Sequence, residues 1–335
     1  MIGSISIRTP LLTTFTTRTM TRSISIKAPL LVSPRTLQEL RSSPNADVKI
    51  LDASWTMPNV PRNPSKEFVE KHVPGARYLD LDEVASPSEL GLKHMMPSAQ
   101  VFSEALENFG ITPTSHVVLY DSQGIFSAPR ALFMFRAFGH NNSSVLDGGL
   151  PGWEIEGLPT EMGHAEKTLK SAYPVPAFVS ETVRSYEEMV SNAAKPLSDP
   201  LAEIVLDARS LERYTGLEPE PRPGLSSGHI PNSFSLPFRA FLQTNAIPGS
   251  DKTFTTFLSA NDLRRKLVEA VGTEHAQLIL QGKRGVRTTC GSGMTAGILW
   301  LGLKLIEEST LVSLYDESWT GYALRPESRI DRGVL

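Results

Sequence analysis

The chain repeats itself, and that repetition constrains its fold more than any other feature. VKILDAS at residues 48–54 returns as EIVLDARS at 203–210, and the histidine steps KHVPGARYLDL and GHIPNSFSLPF follow them. Further on, VVLYDSQGIFSAPRALFMF and VRTTCGSGMTAGILWLG share the order strand, Gly-bearing loop, helix, and SVLDGGLPGW matches VSLYDESWTGY. Asp147 precedes Asp316 by the same 169 positions that separate Asp121 from Cys290. Equal offsets of this kind mark a tandem duplication. Short apolar runs alternate with segments of helical period, so the expected class is α/β, each copy a mostly parallel sheet flanked by helices. Units of about 130 residues can bury cores of their own. The expected division is a first domain over 29–160, a linker over 161–185 where prolines enter and periodicity fades, and a second domain over 186–335.

Residues 1–28 stand apart from both copies. Arg8, Arg18, Arg22 and Lys27 lie among serines and threonines, and no acidic residue occurs before Glu39. This is the composition of a mitochondrial transit peptide; a disordered basic tail is the alternative. It implies a matrix location, with a leaderless cytoplasmic form as a second one. The body offers no cluster of lysine and arginine, and the net charge is −3, so neither nucleic acid nor an anionic membrane is an expected partner. No run of about 18 apolar residues is present to span a bilayer. A single cysteine excludes an internal disulfide and any multi-cysteine metal site.

That cysteine sits in TTCGSGMTAG, residues 288–297. The preceding VRTT reads as a strand end, Gly291 and Gly293 permit a tight loop, and the apolar spacing that follows suits a helix starting near Thr295. Backbone N–H groups in a strand-to-helix turn converge on an anion, and the helix N-terminus adds partial positive charge. A thiol there is set up as a nucleophile, and the same cradle would stabilise a persulfide or a substrate's developing charge. Where the second copy has Cys290, the first has Asp121, so the first copy should be catalytically silent, or lend residues across the interface. A cysteine phosphatase would need an arginine after five intervening residues, and that position is Ala296. Sulfur transfer needs only room for one sulfur beyond the thiolate, which the loop from Cys290 to Thr295 provides.

The loop CGSGMTA, the stretch DARSLERYTGLEPEPRPGLSSGHIPNSFSLPF, and the first-half stretches LDASW, KHMMP, FSAPRALFMFRAFGH and SVLDGGLPGW together resemble the tandem-rhodanese sulfurtransferases, from about residue 30 to 322. The resemblance implies two rhodanese-like domains, the second catalytic, with no metal or organic cofactor. The loop is similar to that of 3-mercaptopyruvate sulfurtransferases; the thiosulfate enzymes carry arginine and lysine where this chain has Gly291 and Ser292. It further implies that Arg213 and Arg222 hold the substrate's carboxylate and carbonyl, and that the loop residues Gly291, Gly293, Met294 and Thr295 line the binding site. Arginine's planar fork suits such two-point recognition. A surface ion-pair role among Glu212, Glu218 and Glu220 is the alternative for both arginines. Ser292, His94 and Asp82 fall on the family's proton relay, a hydroxyl oriented by an imidazole and that by a carboxylate. Asp80 competes with Asp82 for the last place. The implied substrates are 3-mercaptopyruvate or thiosulfate, and the implied acceptor is thioredoxin or another thiol, with cyanide as a substitute in vitro.

His72 and His229 recur at matching places in both copies, one of them inert, which argues for a role in the fold. Trp153 and Trp319 read as packing residues. Three features depart from the family: Met294 replaces the usual valine, the tail after Trp319 diverges, and HAQLILQGKRGVRTTC is longer and more basic than a short apolar strand. A thiosulfate sulfurtransferase, a cysteine phosphatase and a non-enzymatic sulfur-carrier module are the competing classes.

Overall fold

The computed structural model describes residues 27–333; nearly all of the expected transit segment, residues 1–26, lies outside them. The duplication appears directly as two five-stranded parallel sheets of identical strand order. In the first sheet the order is β1 (Leu31–Val32), β5 (Ser143–Leu146), β4 (His116–Tyr120), β2 (Val48–Asp52) and β3 (Arg77–Tyr78). In the second it is β6 (Val183–Arg184), β12 (Val312–Tyr315), β11 (Val286–Thr289), β7 (Ile204–Asp207) and β8 (Ser233–Ser235). The inner strands are buried almost end to end, as expected for parallel strands covered on both faces. Helices α1 (Pro34–Ser42), α2 (Pro64–Glu70), α3 (Ala99–Asn108), α4 (Ala128–Ala137) and α5 (Gly149–Ile155) belong to the first copy. Their counterparts are α6 (Tyr186–Ala193), α7 (Leu211–Thr215), α8 (Ala260–Leu280), α9 (Ala296–Ile306) and α10 (Ser318–Ala323). One antiparallel hairpin, β9 (Leu242–Ala246) and β10 (Thr253–Phe257), exists only in the second copy.

The copies join through α4 and α9. Both helices are buried on nearly every face, because each packs its own sheet on one side and the other copy on the opposite side. Gly297 makes the close approach possible: a β-carbon there would stand 2.8 Å from the backbone nitrogen of Arg130. Phe133 meets Trp300 edge-on across the seam, with ring centroids 5.3 Å apart. The paired aspartates explain their equal offset. Asp147, beyond β5, accepts the N–H of Phe257 from the second copy at 3.0 Å, and Asp316, beyond β12, accepts that of Met96 from the first at 2.7 Å.

His72 and His229 do occupy matching structural positions. Each stacks on an aromatic ring, Phe68 or Tyr214, bonds a backbone carbonyl through Nδ1, and pairs in a short bridge with Glu161 or Asp331. Trp153 and Trp319 are buried, their indoles donating to the carbonyls of Pro159 and Ser226. The basic stretch before Cys290 resolves into three pieces. It is the end of α8, a turn holding Lys283 and Arg284, and the four residues of β11, whose Arg287 is neutralised by Glu203. The second sheet already begins at Val183, inside the segment read as linker, and Ser185 and Glu188 form a capping box that starts α6. Ahead of it, Tyr173 lies against the first copy, its hydroxyl hydrogen-bonded to His140.

Candidate active site

Cys290 follows directly on β11, and the chain then turns through Gly291–Thr295 into α9. The thiol is buried, and the N–H of Gly293 donates to Sγ at 3.1 Å. Gly293 has φ +84°, and a β-carbon on it would stand 2.7 Å from the Asp316 carbonyl oxygen, so this position requires glycine. Among the described residues, the backbone N–H groups of Gly291, Ser292, Met294 and Thr295 find no protein acceptor, which leaves a ring of donors for an anion. The loop is held from behind by the start of α10. The N–H groups of Trp319 and Thr320 donate to the carbonyls of Cys290 and Gly291, each at 2.9 Å. The Ser318 hydroxyl accepts the Cys290 N–H and donates to Tyr315. The Met294 side chain is buried in the core, so this residue contributes its backbone to the loop.

Arg213 and Arg222 flank the loop. A β-carbon built on Gly291 would stand 3.2 Å from Arg213 Nη2 and 3.4 Å from Arg222 Nη1. Arg213 comes from α7 and is fixed by Glu220, whose carboxylate accepts Nε at 3.2 Å and Nη2 at 2.5 Å. Glu220 is buried and also takes Arg209 Nη1 at 2.7 Å, while Asp207 at the end of β7 holds the rest of the Arg209 fork. The ion pair anticipated as a surface alternative for Arg213 is thus a buried one that aims the side chain. Arg222 has no acidic partner among the described residues. Burial lowers its affinity for the proton and neighbouring Arg213 adds to that, while the Cys290 sulfur and Glu220 act in the opposite sense. A half-buried guanidinium without a counter-ion, facing a thiol, is ready to bind an anion.

The first copy supplies the other wall. His94 Nδ1 meets Asp82 Oδ1 at 2.9 Å, and the Trp55 indole donates to Asp82 Oδ2 at 3.3 Å. It is Asp82 that meets His94, while the Asp80 carboxylate accepts the N–H of Asp82 and shapes the turn. Partial burial pushes the Asp82 carboxyl upward, but the hydrogen bond and charge of His94, with the indole N–H, outweigh it and leave the group below the usual carboxylate range. On its other side His94 Nε2 reaches Ser292 at 2.8 Å, and the atom it reaches is the backbone carbonyl oxygen rather than the hydroxyl. Both ring nitrogens therefore face oxygen atoms, one of Asp82 and one of Ser292. His94 also has φ +46°, a conformation that costs energy for a non-glycine residue and that tertiary contacts must hold.

A family model described as "Rhodanese-like domain" matches residues 33–156, which is the first copy. The 3-mercaptopyruvate sulfurtransferase of Mus musculus is 35% identical over 313 residues, covering 90% of this chain and 95% of its own length. The chain belongs to the tandem-rhodanese sulfurtransferases. An Arabidopsis thaliana relative named "Thiosulfate/3-mercaptopyruvate sulfurtransferase 1, mitochondrial" is also 35% identical, over 85% of this chain and 74% of that one. Among solved structures, the Tum1 protein of Saccharomyces cerevisiae superimposes with a TM-score of 0.76 at 27% identity, over 91% of this chain and 99% of its own.

In this sulfurtransferase the first copy keeps the cradle and fills it. Asp121, at the position of Cys290, folds its carboxylate back so that Oδ2 accepts the N–H groups of Phe126, Ser127 and Ala128 at 2.7, 2.9 and 3.0 Å. The hairpin of the second copy packs against this loop. Ile125 donates to the Thr255 hydroxyl at 3.0 Å, and a β-carbon on Gly124 would lie 2.3 Å from the Thr255 carbonyl oxygen. The inward N–H groups of this loop are thus already taken by its own side chain. Asp121→Ala should therefore cost on the order of 3 kcal/mol of stability, since it strands the N–H donors of Gln123, Phe126, Ser127 and Ala128. Chemical denaturation reads this, and an unchanged midpoint would show that the carboxylate is not what fills the loop. Sequence reasoning singled out Asp121 as the counterpart of Cys290 but missed Trp55, Arg130 and Ser318. Trp55 bonds Asp82 27 positions away, Ser318 takes the Cys290 N–H 28 positions away and Arg130 bonds Asp316 186 positions away, separations that no local pattern encodes.

Proposed function

We propose that the protein moves the sulfane sulfur of 3-mercaptopyruvate through a persulfide on Cys290 to a thiol acceptor such as thioredoxin, releasing pyruvate. The observation that carries this reading is the pair of guanidiniums beside Gly291, with no cation within the loop itself. A substrate whose carboxylate lies away from its sulfur suits that separation: Arg213 and Arg222 take the carboxylate and carbonyl oxygens while the sulfur enters the loop. The Cys290 thiolate attacks the substrate sulfur, forming an S–S bond. The C–S bond breaks, its electron pair passes to carbon as the pyruvate enolate, and a proton completes pyruvate. The unpartnered N–H groups of the loop stabilise the charged persulfide. In this reading His94 and Asp82 fix the backbone at Ser292, and the Ser292 hydroxyl is left to exchange the proton with substrate. The acceptor thiol then attacks the outer sulfur and regenerates the Cys290 thiolate. A mitochondrial location is supported by the composition of residues 1–28 and by the naming of the Arabidopsis relative.

Thiosulfate is the second reading, favoured by the same two cations and by the double name of that relative. The ratio of kcat/KM for the two donors with one acceptor decides between them, and a preference for thiosulfate would overturn the first reading. Ser292→Lys should raise the thiosulfate-to-mercaptopyruvate ratio about tenfold or more, the equivalent of one added charge-assisted contact. An unchanged ratio would mean that cations in the loop do not set selectivity.

A further inference from the structure

Arg130 of α4 belongs to the inert copy, yet its guanidinium lies beneath the catalytic loop and is almost wholly buried. Nη2 donates to the His94 carbonyl at 2.8 Å and to Asp316 Oδ1 at 2.5 Å. Nη1 has no hydrogen-bond partner and would stand 3.6 Å from a β-carbon on Gly293. The Arg130 backbone is also what Gly297, in the first turn of α9, packs against. We infer that Arg130 is a positioning residue through which the inert copy sets the conformation of the Cys290 loop, an inference that rests on the sulfurtransferase reading of that loop.

The argument is one of contacts and cost. Arg130 holds the carbonyl of His94, the residue kept at positive φ whose ring reaches Ser292. It also holds the carboxylate of Asp316, whose own carbonyl abuts Gly293. Gly293 in turn donates to the thiol. Two consecutive loop residues, Ser292 and Gly293, are thereby referred to a single buried group. A buried guanidinium with one nitrogen unpaired is a poor device for stability alone, because apolar residues of similar volume do as well without stranding a donor. Its retention here fits a requirement for geometry.

Arg130→Met and Arg130→Lys, made in the full chain, test this with three readouts. Thermal melting reports the fold. Alkylation by iodoacetamide reports the loop without any substrate, since Cys290 is the only thiol. Steady-state kinetics with 3-mercaptopyruvate and thiosulfate report turnover. For Arg130→Met in its folded form, kcat should fall about tenfold to a hundredfold, the usual effect of a displaced reacting group. KM should stay near the wild-type value, because Arg213 and Arg222 are untouched, and the alkylation rate should change several-fold. Arg130→Lys, which keeps a cationic donor for Asp316 and the His94 carbonyl on a shorter side chain without the planar guanidinium, should recover part of kcat. A merely structural residue would lower the melting temperature and leave kcat, KM and alkylation per folded molecule unchanged, and that result overturns the inference. Should Arg130→Met not fold, Arg130→Lys alone decides. Lowered kcat at a near-native melting temperature upholds the inference, and full kcat with unaltered alkylation overturns it. Wild-type protein that transfers no sulfur from either donor, while alkylation still differs between variants, would sink the functional reading and leave the positioning role standing.

Discussion

Cys290→Ser is expected to remove sulfur transfer entirely, a fall on the order of 10⁴-fold or more, as is usual when the nucleophile of a covalent mechanism is lost. A serine oxygen cannot hold the sulfane sulfur as a persulfide, and no second cysteine exists to take over. The fold should survive. The thiol's recorded polar contact is the N–H of Gly293, which a hydroxyl oxygen accepts equally well, and the loop is fixed through backbone bonds from Trp319 and Thr320. Three measurements together check the expectation: steady-state turnover, the gain of one sulfur atom in intact mass after exposure to donor, and the melting temperature. Wild type should gain the sulfur and the variant should not, at nearly equal melting temperatures. Turnover or sulfur uptake retained by the variant would show that transfer does not pass through this residue.

Most of the fold could be read from the chain because the duplication made each copy a check on the other. The paired LDA stretches became β2 and β7, the two glycine-bearing loops became the turns after β4 and β11, and the two aspartates at equal offset became the reciprocal contacts between copies. Local chemistry also sufficed to put Cys290 on a strand-to-helix turn with Thr295 at the cap of α9. What remained hidden was of another kind. Whether His94 meets the hydroxyl or the carbonyl of Ser292 depends on a rotation of the loop that no residue name encodes. Arg130 and Asp316 lie 186 positions apart, and each alone reads as an ordinary charged residue in a mixed segment. The hairpin β9–β10 has no counterpart in the first copy, so the repeat that revealed everything else was silent about it.

Glu220 was visible only as one of several acids near two arginines, yet its removal should be the second most damaging change to the protein. Its side chain is 1% exposed and lies between the guanidiniums of Arg209 and Arg213. In Glu220→Ala, Arg209 keeps Asp207, but Arg213 loses its acidic partner and stands near Arg222 without compensation. Breaking one member of a buried ion network commonly costs about 3–5 kcal/mol, a large share of the roughly 5–15 kcal/mol that holds a domain together. Function should suffer beyond the loss of folded protein. On the proposed function, Arg213, no longer aimed at Gly291, should bind the substrate carboxylate less well, so KM should rise and kcat/KM fall about tenfold to a hundredfold in the folded fraction. Glu220→Gln preserves shape and one acceptor oxygen while removing the charge, and should lie between wild type and alanine on both scales. Denaturation and kinetics on the same samples separate the two effects. A folded Glu220→Ala with native KM would mean that Arg213 is not the carboxylate clamp, leaving Arg222, the cation without an acidic partner, to bind the substrate alone.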